Sequence, residues 1–398
     1  MGKGWGVTVP PMSPPPASDP TEGSVSGNAM PRPQKTTRVA GTRRSFFKWA
    51  GLAGAGGIAV VAGAGILRSK PASQASAPDV TLPPPTATLP GKPVNFTEPA
   101  SLGVDDLSPF ITPNDSFFRI DTAFYPPNVN LDTWRLQING SVETPLEFSY
   151  DELLALPQVE VPLTIACVSN GVGGDLIGTA VWQGIPLGSL LERAGVQLAG
   201  DQIVGRSLDG FTAGFPTAAV FDGRTALLAL GMNGEPLPPD HGFPARLVIE
   251  GLYGYVSATK WLSTIELTGW DSYNGYWIPL GWSKEGPVKI ASRIDVPKSS
   301  GSLRSGTVPI AGVAWAPSGV ARVEVQIDDG PWNDAELGPA VSEGTWRQWV
   351  HPWEAAAGAH RIRVRATDNE GQTQTSDEAP VAPDGATGWH TRRVTVSA

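Results

Sequence analysis

Cys167 is the only cysteine in a chain of 398 residues, and it stands where the apolar run from Val161 to Ala166 gives way to a glycine-rich loop. The run is short, partly β-branched and bounded by turn-forming residues, which predicts a buried strand. A side chain at the end of such a strand commonly faces a pocket. Gly171, Gly173, Gly174 and Gly178 carry no Cβ, so backbone there can approach a bulky group closely. A thiolate in this place can hold a soft metal or act as a nucleophile, while a free cysteine can equally pack as a small inert hydrophobe. A closed zinc site takes about four ligands, and no second cysteine or nearby histidine supplies them. A metal on Cys167 must therefore bring its other ligands with a cofactor. Thiol catalysis would need a base, and His241 is the candidate.

Three further residues could do chemistry because they are cationic groups on or beside apolar segments. His241 follows the turn-rich stretch 231–240, Arg246 is the one charge in the strand-like run 245–249, and Lys260 follows Ser257, Ala258 and Thr259. A buried cation is costly unless it meets an anion. Taken singly, each has a plain explanation: His241 bonded to backbone, Arg246 paired with Asp222 or Glu250, Lys260 reaching out to water. Together with the glycine-lined thiol they point to an anionic cofactor carrying phosphate and a heteroaromatic head. Arginine offers forked donors, lysine a point charge and glycine amides an anion nest.

The elements that must hold these groups can be read from pattern. Ser149 and Glu152 form a capping box ahead of Leu153 and Leu154, and Pro157 ends that short helix. Pro186 and Gly195 bracket a second helix ending at Ala194. Trp134 to Ile138 alternates as a half-buried strand does. From about Pro287 the texture changes to short alternating strands, such as Val323, Val325, Ile327 and then Ile362, Val364, Ala366, separated by Asp-Asp-Gly-Pro and Asp-Asn-Glu-Gly turns. This predicts an immunoglobulin-like β-sandwich over residues 287–398. His351, His360 and His390 read as structural or exposed there. Trp315, Trp332, Trp346, Trp349 and Trp353 read as core or interface.

Ahead of the folded part, residues 1–40 are rich in Pro, Gly, Ser and Thr and read as disordered. Arg43, Arg44, Ser45, Phe46, Phe47 and Lys48 then precede a 19-residue uncharged stretch, 49–67, with six Gly and six Ala. A spanning helix usually takes about 20 strongly apolar residues. This weaker stretch resembles a twin-arginine export signal, with a membrane anchor as the alternative. Residues 73–75 and 75–77 both have a small-x-small cleavage form. An uncleaved signal would tether the protein to the outer membrane face. Residues 71–95 are proline-rich and predict a stiff linker, with folding beginning near Asn95. Residues 1–70 hold nine Lys/Arg against two Asp/Glu, which leaves 20 basic and 36 acidic residues for the rest. So acidic a body argues against nucleic acid as partner.

The motifs in order resemble the sulfite oxidase family of molybdenum enzymes. They are Thr112, Pro113, Asn114 with Phe117, Phe118, Arg119; Cys167 before its glycine loop; Met-Asn-Gly-Glu-Pro-Leu-Pro from Met232; Asp-His-Gly-Phe-Pro-x-Arg from Asp240 to Arg246; and Lys260, Trp261, Leu262. The resemblance covers the chain from about residue 100 to its end. It implies an α+β fold: a mixed α/β molybdopterin domain over 96–286, then the sandwich as a dimerisation domain. It implies that Cys167 ligates molybdenum, the other sulfurs coming from molybdopterin. Phe118 and Arg119 would line the cofactor and substrate side, with Arg119 also catalytic. Asp222, His241, Arg246 and Lys260, with Ser257, Ala258 and Thr259 beside it, would hold the pterin and its phosphate. The chemistry implied is oxygen-atom transfer on a small molecule, sulfite-like or an S- or N-oxide, with an external electron carrier such as a cytochrome.

The sequence departs from true sulfite oxidases in two places. Their arginine-bearing loop after the cysteine is here Asn170 to Gly173, and their Arg-Asn-His is here Arg119, Ile120, Asp121. A less positive pocket is expected. The rival reading, a non-catalytic envelope adhesion or assembly protein built on the sandwich, leaves the cysteine loop and the buried cations unexplained.

Overall fold

Two small sheets share the core that carries the thiol. The computed structural model describes residues 79–89, 102–298 and 303–398, so residues 1–70, with the twin-arginine stretch, lie outside it. Among the described residues no helix is long and apolar enough to cross a membrane. The strands of the first half are β1 (Leu136–Gly140), β2 (Leu146–Phe148), β3 (Val159–Ala166), β4 (Ile177–Pro186), β5 (Gln202–Ser207), β6 (Thr212–Pro216), β7 (Ala226–Met232), β8 (Glu235–Pro236), β9 (Arg246–Ile249) and β10 (Leu262–Thr268). One sheet has the order β2-β1-β10-β5-β6. The other has the order β3-β4-β7-β8, with β9 also paired to β7. β1 and β10 run parallel; the other pairings are antiparallel.

Every residue of β7 is buried, as a central strand requires, and its side chains join Leu163, Trp182, Leu247, Ile203 and Ile265 in one core. Pro162 lies within β3, which is tolerated because β3 is a sheet edge. That edge is met from the second half of the chain: the amide of Thr164 donates to Gly344 O at 2.9 Å.

The helices are short. Tyr150–Leu154 starts on the expected capping box, Ser149 with Glu152. Leu187–Ala194 buries Leu187, Leu190, Leu191 and Ala194 and stops at Gly195, whose φ of 68° suits glycine. Gly254–Ser257 is a single turn. The architecture is thus mostly sheet, poorer in helix than a mixed α/β reading expects. Few segments carry a capping signal, and prolines and glycines interrupt the rest.

The proline-rich segment also differs from the expected linker. Residues 79–89 are extended, but they lie on the body: Val80, Leu82, Ala87 and Leu89 pack against the core. Thr86 and Ala87 amides donate to Gln158 O at 2.9 Å, and Gln183 Nε2 donates to Pro83 O at 2.6 Å. Alternating leucines and prolines give an extended chain an apolar side, and that side is used here.

The second half contains β11 (Ala291–Val296), β12 (Leu303–Arg304), β13 (Gly306–Trp315), β14 (Val320–Ile327), β15 (Trp332–Asp334), β16 (Glu336–Leu337), β17 (Arg347–Ala355), β18 (Gly358–Asp368) and β19 (His390–Ser397). They form sheets of order β11-β13-β17-β16 and β12-β19-β18-β14-β15. Val323, Val325, Trp349, Ile362 and Val364 are fully buried among them. Trp315 and Trp346 do something else: with Val313 they pack on Ala166, Val168, Tyr253 and Tyr255, joining the second half to the floor of the thiol loop.

Candidate active site

Cys167 begins a loop that closes on itself. Its amide donates to Leu176 O at 2.9 Å, the Asn170 amide donates to Cys167 O at 3.0 Å, and the Leu176 amide donates to Asn170 Oδ1 at 2.9 Å. The thiol lines a cavity of about 920 Å³, its open mouth included. Cys167 Sγ lies 2.9 Å from Ser169 Oγ. Burial pushes the thiol pKa up, and the hydrogen bonds with Ser169 oppose that.

His241 and two cations, Arg246 and Lys260, come together on the same cavity because Gly242 lets them. Gly242 has a φ of 112°, and a Cβ there would lie 3.0 Å from Lys260 Cβ and 3.2 Å from Arg246 Cβ. His241 ends the turn Pro239–His241, and its Nε2 donates to Asn114 O at 2.8 Å. Burial, then the Lys260 charge, pulls its pKa down to about 4, so the ring is neutral. Arg246, on β9, is 4% exposed. Its guanidinium lies 4.9 Å from the Trp182 ring, and Nη1 donates to His241 O at 3.1 Å. Burial lowers its pKa to about 10. Lys260 Nζ donates to Asp240 O at 2.9 Å and forms an ion pair with Asp121. Burial lowers its pKa to about 8 against the attraction of Asp121.

Arg119 stands just behind this wall. Its Nε meets Asp121 at 2.5 Å and its Nη1 meets Asp240 at 2.6 Å. Phe118 lines the cavity and stacks on Phe117, with ring centres 5.1 Å apart. The rest of the wall is largely aromatic, with Phe211, Tyr255, Trp261, Trp277 and Trp282.

The structure brings Cys167, Phe118, His241, Arg246, Ala258 and Lys260 to one cavity. Ser257 and Thr259 are fully buried beside it, with hydroxyls committed to backbone: Ser257 to Tyr253 O at 3.0 Å, Thr259 to Gly205 O at 3.5 Å. Asp222 is elsewhere. It is exposed and holds Arg224 through Nε at 3.0 Å and Nη2 at 2.7 Å, an ion pair between near neighbours in sequence. The suggested pairing of Arg246 with Asp222 or Glu250 is replaced by the contacts with His241 and Trp182. Sequence reasoning missed Asp121 and Asp240 as partners of the cations. The position of Asp121 two residues after Arg119, and of Asp240 beside His241, could have signalled them.

The comparisons with known proteins agree with this geometry. The family model described as "Oxidoreductase molybdopterin binding domain" matches residues 123–277. Mitochondrial sulfite oxidase of Homo sapiens is 30% identical over 341 residues, covering 73% of this chain and 61% of that protein. The chain thus spans about three fifths of the length of the mammalian mitochondrial sulfite oxidases it matches. An uncharacterized oxidoreductase of Bacillus subtilis, YuiH, is 34% identical over 185 residues, covering 46% of this chain and 90% of the relative. Among solved structures, the sulfane dehydrogenase SoxCD of Paracoccus pantotrophus shares the fold, with a TM-score of 0.63 at 24% identity over 77% of this chain and 91% of that one.

The cofactor these relationships imply is molybdenum held by molybdopterin, and the residues present fit it. Among the described residues no cluster of three or more His, Cys, Asp or Glu could hold a metal. A metal here would take one protein ligand, Cys167, and the rest from the cofactor. Arg119 Nη2 and Arg246 Nε are buried without a hydrogen-bond partner, donors that an anionic cofactor would satisfy. The chain belongs to the sulfite oxidase family of molybdopterin-binding oxidoreductases.

Proposed function

We propose that the protein catalyses oxygen-atom transfer on a small molecule at a molybdenum centre held by Cys167. One observation carries this reading: the single thiol and the buried cations Arg246 and Lys260 share one cavity, 79 to 93 residues apart in sequence. When bound, molybdenum supplies two-electron chemistry coupled to movement of an oxygen atom. The chain's own residues do the rest. Arg246, Lys260 and the neutral ring of His241 orient the cofactor's anionic end, Phe118 and the tryptophans exclude water, and Arg119, behind the wall on Asp121 and Asp240, adds positive charge to it.

Electrons would pass to or from a separate carrier. The N-terminal signal would take the folded protein out of the cytoplasm by the twin-arginine route, and an uncleaved signal would leave it tethered to the membrane. Residues 96–286 would form the cofactor domain. Residues 287–398 would form an immunoglobulin-like sandwich that pairs two copies. The two stacked sheets around Trp349 support the sandwich reading.

The test is metal analysis on protein made in a host that synthesises the cofactor. About one molybdenum per chain is expected for the wild type, and Cys167→Ser is expected to lose it. Full metal occupancy in that variant would overturn the assignment. A panel of sulfite, S-oxides and N-oxides with an artificial electron carrier then identifies the substrate class.

A further inference from the structure

The loop that carries the thiol has a weakness: none of residues 169–176 is buried, so apolar packing does not hold it. Its outer turn is held by the second half of the chain. Arg293, on β11, is 8% exposed, and its Nη1 donates to Gly174 O at 3.0 Å. The same guanidinium is fixed by Asp295 Oδ1 at 2.6 Å through Nε and by Ser108 Oγ at 2.8 Å through Nη2. His390, on β19, backs the neighbouring residue so closely that a Cβ on Gly173 would lie 2.3 Å from its ring. Ile294 N donates to His390 Nδ1 at 2.9 Å, which fixes that ring in turn.

A short path of contacts joins this clamp to the thiol. Gly174 packs on Asn170, where an added Cβ would lie 2.4 Å from Oδ1. The Asn170 amide is bonded to the carbonyl of Cys167 itself. Arg293 thus anchors one end of a hydrogen-bonded loop whose other end presents sulfur to the cavity.

We propose that Arg293 is a positioning residue for the thiol: through the Gly174 carbonyl it fixes the loop conformation that aims Cys167 into the cavity. The second half of the chain therefore takes part in building the metal site. The catalytic meaning of this rests on Cys167 being the molybdenum ligand; the positioning itself does not.

The experiment compares wild type with Arg293→Met, Arg293→Lys and Ser108→Ala, each as the full chain. In protein made without cofactor, iodoacetamide can alkylate only Cys167. Its rate is expected to rise about fivefold or more in Arg293→Met, because the loop opens locally. Arg293→Lys, which keeps the charge but not the fork, and Ser108→Ala, which removes one of the two anchors of the guanidinium, are both expected to fall between. In the cofactor-loaded protein, Arg293→Met is expected to keep its molybdenum but broaden the Mo(V) paramagnetic resonance. Should Arg293→Met not fold, Arg293→Lys against wild type decides. Wild-type alkylation rate and an unchanged Mo(V) signal in a folded Arg293 variant would overturn the positioning role. Wild-type protein without molybdenum but with the expected alkylation series would overturn the proposed function and leave the positioning intact.

Discussion

Asp121 and Asp240 hold Arg119 from two sides, and Asp121 also meets Lys260. An oxyanion entering the cavity must compete with these carboxylates, which is the structural form of the reduced positive charge expected from sequence. Asp121→Asn removes one negative charge from a buried cluster. It is expected to tighten a competing anion such as sulfate about tenfold, read as its inhibition constant. Two histidines give a pH dependence. His241 and His390 are pulled from 6.5 to about 4, chiefly by burial, helped by Lys260 beside the first and Arg392 beside the second. Between those values the unfolded chain binds protons that the folded one refuses. Stability is therefore expected to fall as pH drops from 6.5 towards 4, by about 1.4 kcal/mol per pH unit for each group, and to stop falling on their account below 4. Urea titrations of cofactor-free protein at several pH values check this, and His390→Gln should flatten the slope. At this scale the sequence was half legible. Lone cations in apolar runs are visible as types, but their partners, such as Asp121 for Lys260, are set by folding across more than a hundred residues.

Elements were legible where local chemistry decides them. The capping box at Ser149, the helix stop at Gly195 and the alternation in β14 and β18 are each written within a few residues, and each appears where expected. Residues 79–89 were misread because an extended proline-rich chain looks the same whether it hangs free or lies on a sheet. What settles the matter is a distant partner, Gln183. Asp222 was misplaced for a similar reason: a carboxylate two residues from Arg224 has a nearer partner than any cofactor. Gly242 is the turn on which the cationic wall depends. Gly242→Ala meets both a φ of 112° and side chains at 3.0 and 3.2 Å. It is expected to cost about 1–3 kcal/mol and to reduce cofactor retention, measured by thermal unfolding and by molybdenum content.

The molecule as a whole does not divide cleanly at residue 287. Trp346 Nε1 donates to Phe110 O at 2.9 Å, and Val313, Trp315 and Trp346 share a buried cluster with Ala166, Val168 and Tyr255. A fragment ending at residue 290 would expose that cluster. It is expected to bind hydrophobic dye and to hold no molybdenum, whereas a soluble fragment with full metal content would show the halves to be independent. The docked segment 79–89 also limits how far the folded body could stand from residues near Leu67. In a chain that keeps its N-terminal segment, only about 12 residues separate Leu67 from Asp79, and a stretched chain covers at most about 3.6 Å per residue. The leash is then roughly 40 Å at its longest. With a free tether reaching Asn95 it would have been more than twice that. Were that segment to anchor the chain, so short a radius would hold the folded body close to the point of attachment.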